Sequence, residues 1–113
     1  MDKNYIPDVG DVVWLTLDPT MGNEINKRRR CLILTKPVYN KNTELAFISP
    51  ITSIYDGYPY EIKIPDGYKT KGCILVDQTK SVSWKARKAD FIERFDLSLV
   101  KEVNRVLNLF LKN

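Results

Sequence analysis

A change of hydrophobic period near residue 96 constrains the fold more than any other feature of this chain. Before it, apolar residues come in short runs rich in β-branched and aromatic side chains, cut apart by Pro, Gly, Asn and Asp. Runs of that kind form strands, and the residues between them form turns. Val12 to Leu17 follows the turn chemistry of Pro7-Asp8-Val9-Gly10-Asp11, and Arg30 to Thr35 is apolar almost without a break, as in a strand buried on both faces. Asn40-Lys41-Asn42 turns the chain into Leu45 to Ser49, which Pro50 ends. In the next run Tyr60, Ile62 and Ile64 take one face of a strand, Glu61 and Lys63 the other. Gly72 to Val76 adds a further strand, Lys80 to Trp84 reads as a short helical or turn segment, and a last strand lies near Ala89 to Glu93. Beyond Asp96, an N-capping residue type, Val100, Val103, Leu107, Phe110 and Leu111 share one helical face. Leu99, Val106 and Leu109 widen that stripe, which suggests a subunit contact as well as core. The expected architecture is mainly β: a small, strongly bent, barrel-like sheet with a C-terminal α-helix. With 113 residues the chain is expected to form one domain, residues 1–113.

Composition narrows the function classes. The chain is 43% hydrophobic and 28% charged, too apolar for a disordered protein. No apolar run approaches the ~18 residues of a membrane span. Met1-Asp2-Lys3-Asn4 opens no apolar signal segment, and Cys31 and Cys73 sit in apolar runs as small core residues. The expectation is a reduced, cytoplasmic setting without a membrane. His is absent, which removes the usual general base and the commonest metal ligand. Neither a metal nor a cofactor is expected. The charge is uneven: residues 1–26 hold five acids and one base, net −4, whereas residues 27–113 hold seventeen bases and nine acids, net +8. A basic body attracts polyanions, RNA or DNA first, and suits an acidic protein partner.

Lys27-Arg28-Arg29-Arg30 is the sharpest local feature. It reads either as a solvated charge run or as a phosphate clamp, since guanidinium forks match phosphate oxygens at two points. Glu24, three residues upstream, is a salt-bridge partner or a proton acceptor. Thr52-Ser53 and Asp77-Gln78 end strands, where turn chemistry and phosphate or RNA contact are both open to them. Trp14 reads as a core residue in preference to a base-stacking platform.

Taken in order, these residues resemble a known family. Tyr5-x-Pro7-Asp8-x-Gly10-Asp11-x-x-Trp14-x-x-x-Asp18-Pro19-Thr20-x-Gly22-x-Glu24 is similar to the opening of the MazF/PemK toxin endoribonucleases, and closest to the MazF branch. The likeness continues through Arg29, Pro50-x-Thr52-Ser53, Gly57-Tyr58-Pro59-Tyr60-Glu61 and Asp77-Gln78-x-Lys80-Ser81-x-x-Trp84-x-Ala86-Arg87. The resemblance implies an SH3-like β-barrel of the CcdB/MazF type with a C-terminal helix, acting as a homodimer. It implies sequence-specific, metal-independent cleavage of single-stranded RNA such as mRNA, restrained by a cognate antitoxin with an acidic C-terminal tail. It assigns catalysis to Arg29 and Thr52 with Glu24 in support; RNA binding is expected at Lys27, Arg28, Arg30, Ser53, Asp77, Gln78, Lys80 and Arg87. The chain departs from the family's Gly-x-Arg-Pro pattern at residues 27–30, which leaves Arg28 and Arg30 as alternatives to Arg29. It also has Leu75 where the PemK branch carries Arg. A CcdB-like gyrase poison and a non-catalytic SH3-like module are the rival readings; the first acts through a terminal Trp-Gly-Ile, where this chain has Leu111-Lys112-Asn113.

Overall fold

The computed structural model describes residues 4–17 and 28–111. Among these the chain runs β1 (Asp11–Thr16), β2 (Arg28–Ile33), α1 (Pro37–Thr43), β3 (Leu45–Thr52), β4 (Glu61–Lys63), β5 (Cys73–Leu75), a 3-10 turn (Val76–Gln78), β6 (Lys80–Ser83), β7 (Asp90–Arg94) and α2 (Leu97–Leu111). The strands are antiparallel neighbours in the order β4-β5-β3-β2-β1-β7, with β6 also on β3. β3 makes the bend. Its residues 45–48 pair with β6, 48–50 with β2, and 51–52 with β5. The result is mainly β and barrel-like, with the sheet left open and a helix at the C-terminus.

Both faces of the sheet are buried. Val12, Leu32, Ile51 and Ile74 pack with Phe95 and with Leu99, Val103 and Val106 of α2. On the other face Val13, Leu15, Cys31, Ile33, Ala46 and Ile48 pack with Val82 and Trp84. This is why β2 reads as an unbroken apolar run: Cys31, Leu32 and Ile33 alternate between two cores, and all are fully buried. Both cysteines are free and buried, as expected of small core residues. Asp96 caps α2, accepting the Ser98 amide at 3.3 Å and the Ser98 hydroxyl. Those bonds hold its carboxyl below the usual aspartate range.

Local expectations fail at three places. The turn at Asn40-Lys41-Asn42 is instead the body of α1. Pro37 starts that helix, where its missing N–H costs nothing. The fully buried Asn40 holds it: its amide donates to the carbonyls of Pro7 (2.8 Å) and Thr35 (2.9 Å), and its backbone carbonyl accepts the Trp84 indole (2.9 Å). A helix of seven residues fixed by such contacts shows no apolar period. The second correction is Lys80 to Trp84, which forms strand β6, while the helical turn lies upstream at Val76–Gln78. Of the four β6 residues, only Val82 is buried, so the sequence offered little alternation to read. Third, β2 spans Arg28–Ile33 and not Arg30 to Thr35, because its ladder with β1 extends to Arg28 opposite Thr16. The helix stripe is partly core, in keeping with its width: Leu99, Val100, Val103 and Val106 are buried, whereas Leu97, Leu109, Phe110 and Leu111 are exposed, with Phe110 edge-on to Tyr60 and the ring centroids 4.6 Å apart.

Candidate active site

The three arginines of β2 do not leave the strand on one face, because successive strand residues point to opposite faces. Arg28 and Arg30 share the face of Leu32, and Arg29 shares the face of Cys31 and Ile33. Arg28 is consumed by structure. Its guanidinium donates to the Thr16 hydroxyl (2.9 Å), the Lys88 carbonyl (2.8 Å), the Trp14 carbonyl (3.3 Å) and the Asp90 carboxylate (2.8 Å), tying β2 to β1 and β7. Arg30 donates to the Lys71 carbonyl at 2.8 Å, a tether that the family's Pro at this position would lack. Arg29 makes a single long contact, 3.5 Å to the Ile51 carbonyl, and is exposed. Among the described residues it has no carboxylate partner within ion-pair distance.

Thr52 meets Arg29 by register. Cys31 lies opposite Pro50 in the β2–β3 ladder, so the same register carried two residues further sets Arg29 opposite Thr52. By then β3 has turned to pair with β5, Thr52 opposite Cys73, and the two strands part. The Thr52 hydroxyl oxygen accepts the Ile54 amide at 3.2 Å, which leaves its hydrogen available to a ligand. Where the strands part lies a groove of about 370 Å³, lined by Trp14, Ile51, Thr52, Ser53 and the three arginines.

Burial pushes the Cys31 thiol up to about 12, against the opposing charge of Arg29, Lys80 and Arg87. Lys80 lies opposite Ile48 of β3, and Arg87 donates to the Thr16 carbonyl at 3.0 Å. Guanidinium groups lining a groove beside a hydroxyl donor can bind a phosphodiester and stabilise extra charge on it.

Asp77 and Gln78 fall elsewhere. They line a second groove, about 560 Å³, with Thr52, Asp56, Tyr58 and Glu61 among its walls. Thr52 is common to the two grooves. Tyr58 donates its hydroxyl to Asp77 at 2.8 Å, and that bond raises its pKa. Glu61 accepts the backbone amides of Asp56 (3.3 Å) and Tyr58 (3.1 Å), so it sets the loop between β3 and β4. Neither Tyr58 nor Glu61 stood out as a site residue in the sequence; aromatic and acidic residues in a turn carry no signal of their own.

Trp14 corrects a further expectation. It is 41% exposed and lines the cationic groove, although its strand neighbours Val13 and Leu15 are fully buried. It shares its face with Val12, which the helix-side core covers, but that cover stops short of Trp14. Glu24 and Lys27 lie outside the described residues.

Comparison with known proteins agrees with this geometry. Residues 8–111 match the family model described as PemK-like, MazF-like toxin of type II toxin–antitoxin system. The endoribonuclease toxin MazF of Escherichia coli (strain K12) is 36% identical over 110 residues, which are 95% of this chain and 98% of that one. The crystal structure of MazF from Deinococcus radiodurans superimposes with a TM-score of 0.87 at 34% identity, covering 97% of this chain and 100% of that one. A MazE–MazF structure from the same organism gives a TM-score of 0.85 at 31% identity, over 96% and 97% of the two chains. A match this complete in sequence and in fold means that the chain belongs to the PemK-like, MazF-like family of toxins of type II toxin–antitoxin systems.

Proposed function

We propose that this protein is an endoribonuclease that cuts single-stranded RNA at a short specific sequence without a metal. The observation that carries the reading is that Arg29, without a carboxylate partner among the described residues, and Thr52 line one groove where β2 and β3 separate. RNA holds its own nucleophile. Its 2′-OH attacks the adjacent phosphorus, an O2′–P bond forms, and the P–O5′ bond breaks, leaving a 2′,3′-cyclic phosphate and a 5′-OH. The protein needs only to align that attack and stabilise the added negative charge on phosphorus. Arginine stays protonated and so is a poor base, but it is well suited as a fixed cation at developing charge.

In this account Arg29 holds the non-bridging oxygens of the phosphorane, Thr52 donates to one of them, and Glu24 takes the proton from the 2′-OH. Water delivers a proton to the departing 5′ oxygen and Glu24 gives the proton it took back to solvent, so Arg29 keeps its charge throughout. Ser53, Lys80 and Arg87 hold neighbouring phosphates, together with Lys27, and the groove of Asp77 and Gln78 takes a base beside the cut. Arg28 and Arg30 add positive potential while serving as tethers. The toxin is read as one domain, residues 1–113, working in the cytoplasm as a homodimer that presents one basic groove. An acidic antitoxin tail competes for that groove; the MazE–MazF structure from Deinococcus radiodurans is that of a relative in a two-protein complex.

Incubation with a single-stranded RNA containing every triplet is expected to yield cuts at one short sequence, with the same sequence left intact in duplex form. RNA affinity should fall steeply with salt, by about 0.7 power of the salt concentration for each phosphate neutralised on a single strand. Indiscriminate cutting, equal cutting of duplex, or a salt-independent affinity would count against the reading.

A further inference from the structure

The loop before β5 is held from two sides. On one side Glu93 of β7 accepts the Lys69 amide on Oε1 at 3.1 Å and the Thr70 amide on Oε2 at 2.6 Å. Burial would raise its pKa, but the hydrogen bonds from Thr70 and Lys69 outweigh burial and leave it below the usual glutamate range. Glu93 is itself fixed. It lies opposite Val12 in the β1–β7 ladder, and its neighbour Arg94 binds both Asp8 and Asp11 at 2.9 Å.

The other side of the loop meets the active site. The Lys71 carbonyl accepts the Arg30 guanidinium at 2.8 Å. Gly72 lies flush against Thr52: a Cβ on it would stand 1.9 Å from the Thr52 carbonyl oxygen. Cys73 then pairs with Thr52 in the β3–β5 ladder. Thr70 is only 3% exposed, so the loop starts inside the molecule. From Glu93 to Thr52 the path is a continuous run of hydrogen bonds and backbone contact through residues 69–73.

We propose that Glu93 is a positioning residue for RNA cleavage, acting through the loop of residues 69–72 on the corner formed by Arg30 and Thr52. The proposal rests on the nuclease reading above. A carboxylate suits this role because it only accepts, so each oxygen can take one amide of adjacent residues. Glutamine would turn an NH₂ toward one of those amides and lose that bond. Glu93 lines neither of the two site grooves, so its loss should act on the cleavage step and spare RNA binding.

The test uses the complete protein and one labelled RNA. Single-turnover cleavage by Glu93→Gln is expected to slow about tenfold, since small misplacements of a reacting group cost one to two orders of magnitude. Affinity for the same RNA, made uncleavable by a 2′-deoxy nucleotide at the cut, should stay within about twofold. Amide exchange at Lys69 and Thr70 should quicken. The double variant Glu93→Gln with Arg30→Ala should be no slower than the slower single, because both break the same path. Glu93→Asp keeps the charge, draws the acceptors back by one methylene, and should fall between; it carries the test if the Gln variant does not fold. A wild-type protein that cuts, with Glu93 variants that cut at its rate, would overturn the positioning role alone. A parallel fall of rate and affinity would also overturn it, as general loosening. A wild-type protein that does not cut RNA would overturn the nuclease reading and this proposal with it.

Discussion

Arg29→Ala is expected to slow RNA cleavage by about a hundredfold or more, the usual loss for one preorganised donor at developing charge. RNA affinity should fall far less, because Arg28 and Arg30 still line the groove and contribute positive potential. Arg29→Lys should restore little, since an ammonium keeps the charge but loses the planar two-point fork. Thr52→Ala should cost less than Arg29→Ala, a neutral donor being weaker than a charged one. The neighbouring arginines supply the control. Arg28 spends its guanidinium on Thr16, Trp14, Lys88 and Asp90, so Arg28→Ala should appear first as lost stability. Its side chain is 26% exposed and that of Asp90 35%, so the ion pair is partly screened and about 1–2 kcal/mol is expected. Single-turnover rates and urea midpoints for the three alanine variants separate the roles. Equal, modest rate losses at Arg28, Arg29 and Arg30 would mean a diffuse basic patch and would end the case for Arg29.

Gly72→Ala should be the most damaging single-methyl change near the site. Gly72 has φ of +117°, where an L side chain is strained by about 1–3 kcal/mol. The added Cβ would also meet the Thr52 carbonyl oxygen at 1.9 Å and the Ser53 Cα at 3.0 Å. Both are backbone atoms of the catalytic strand end, so relief of the clash must move that strand. Overpacking adds about 1–3 kcal/mol, giving a total near 3 kcal/mol or above. Activity should fall further than stability alone explains, because Thr52 is what moves. Gly67→Ala is the matched comparison: φ is +106° but nothing lies within 4 Å of its Cβ position, so only the strain is incurred. Urea unfolding of the two variants checks this. A Gly72→Ala protein as stable as Gly67→Ala would contradict the close approach.

The two-sided burial of β2 could be read from Cys31-Leu32-Ile33, because a strand between two cores has no polar face to show. The helix from Asp96 was equally legible in its period and its cap. Residues 37–43 were not: their helix depends on buried Asn40, whose partners Pro7 and Trp84 are remote in sequence. The proposed catalytic pair, Arg29 and Thr52, was legible only through family resemblance. Nothing in Lys27-Arg28-Arg29-Arg30 says which arginine lacks a carboxylate partner among the described residues, since that depends on strand alternation and on the positions of Asp90 and Lys71. Trp14 misled for a related reason; a strand's pattern does not reveal where the covering helix stops. Glu93 left no trace in the sequence because both of its partners are backbone amides, which every residue but proline supplies.

The central claim is that this strand-end pair cuts RNA by using the RNA's own 2′-OH. Mapping both new ends after cleavage of a defined RNA in excess EDTA tests it most directly. The account predicts undiminished cutting, a 2′,3′-cyclic phosphate on one fragment and a 5′-OH on the other, and no cut where a single 2′-deoxy nucleotide replaces the ribose at the site. Cleavage that stops in EDTA, leaves a 5′-phosphate, or proceeds at the deoxy position would contradict it.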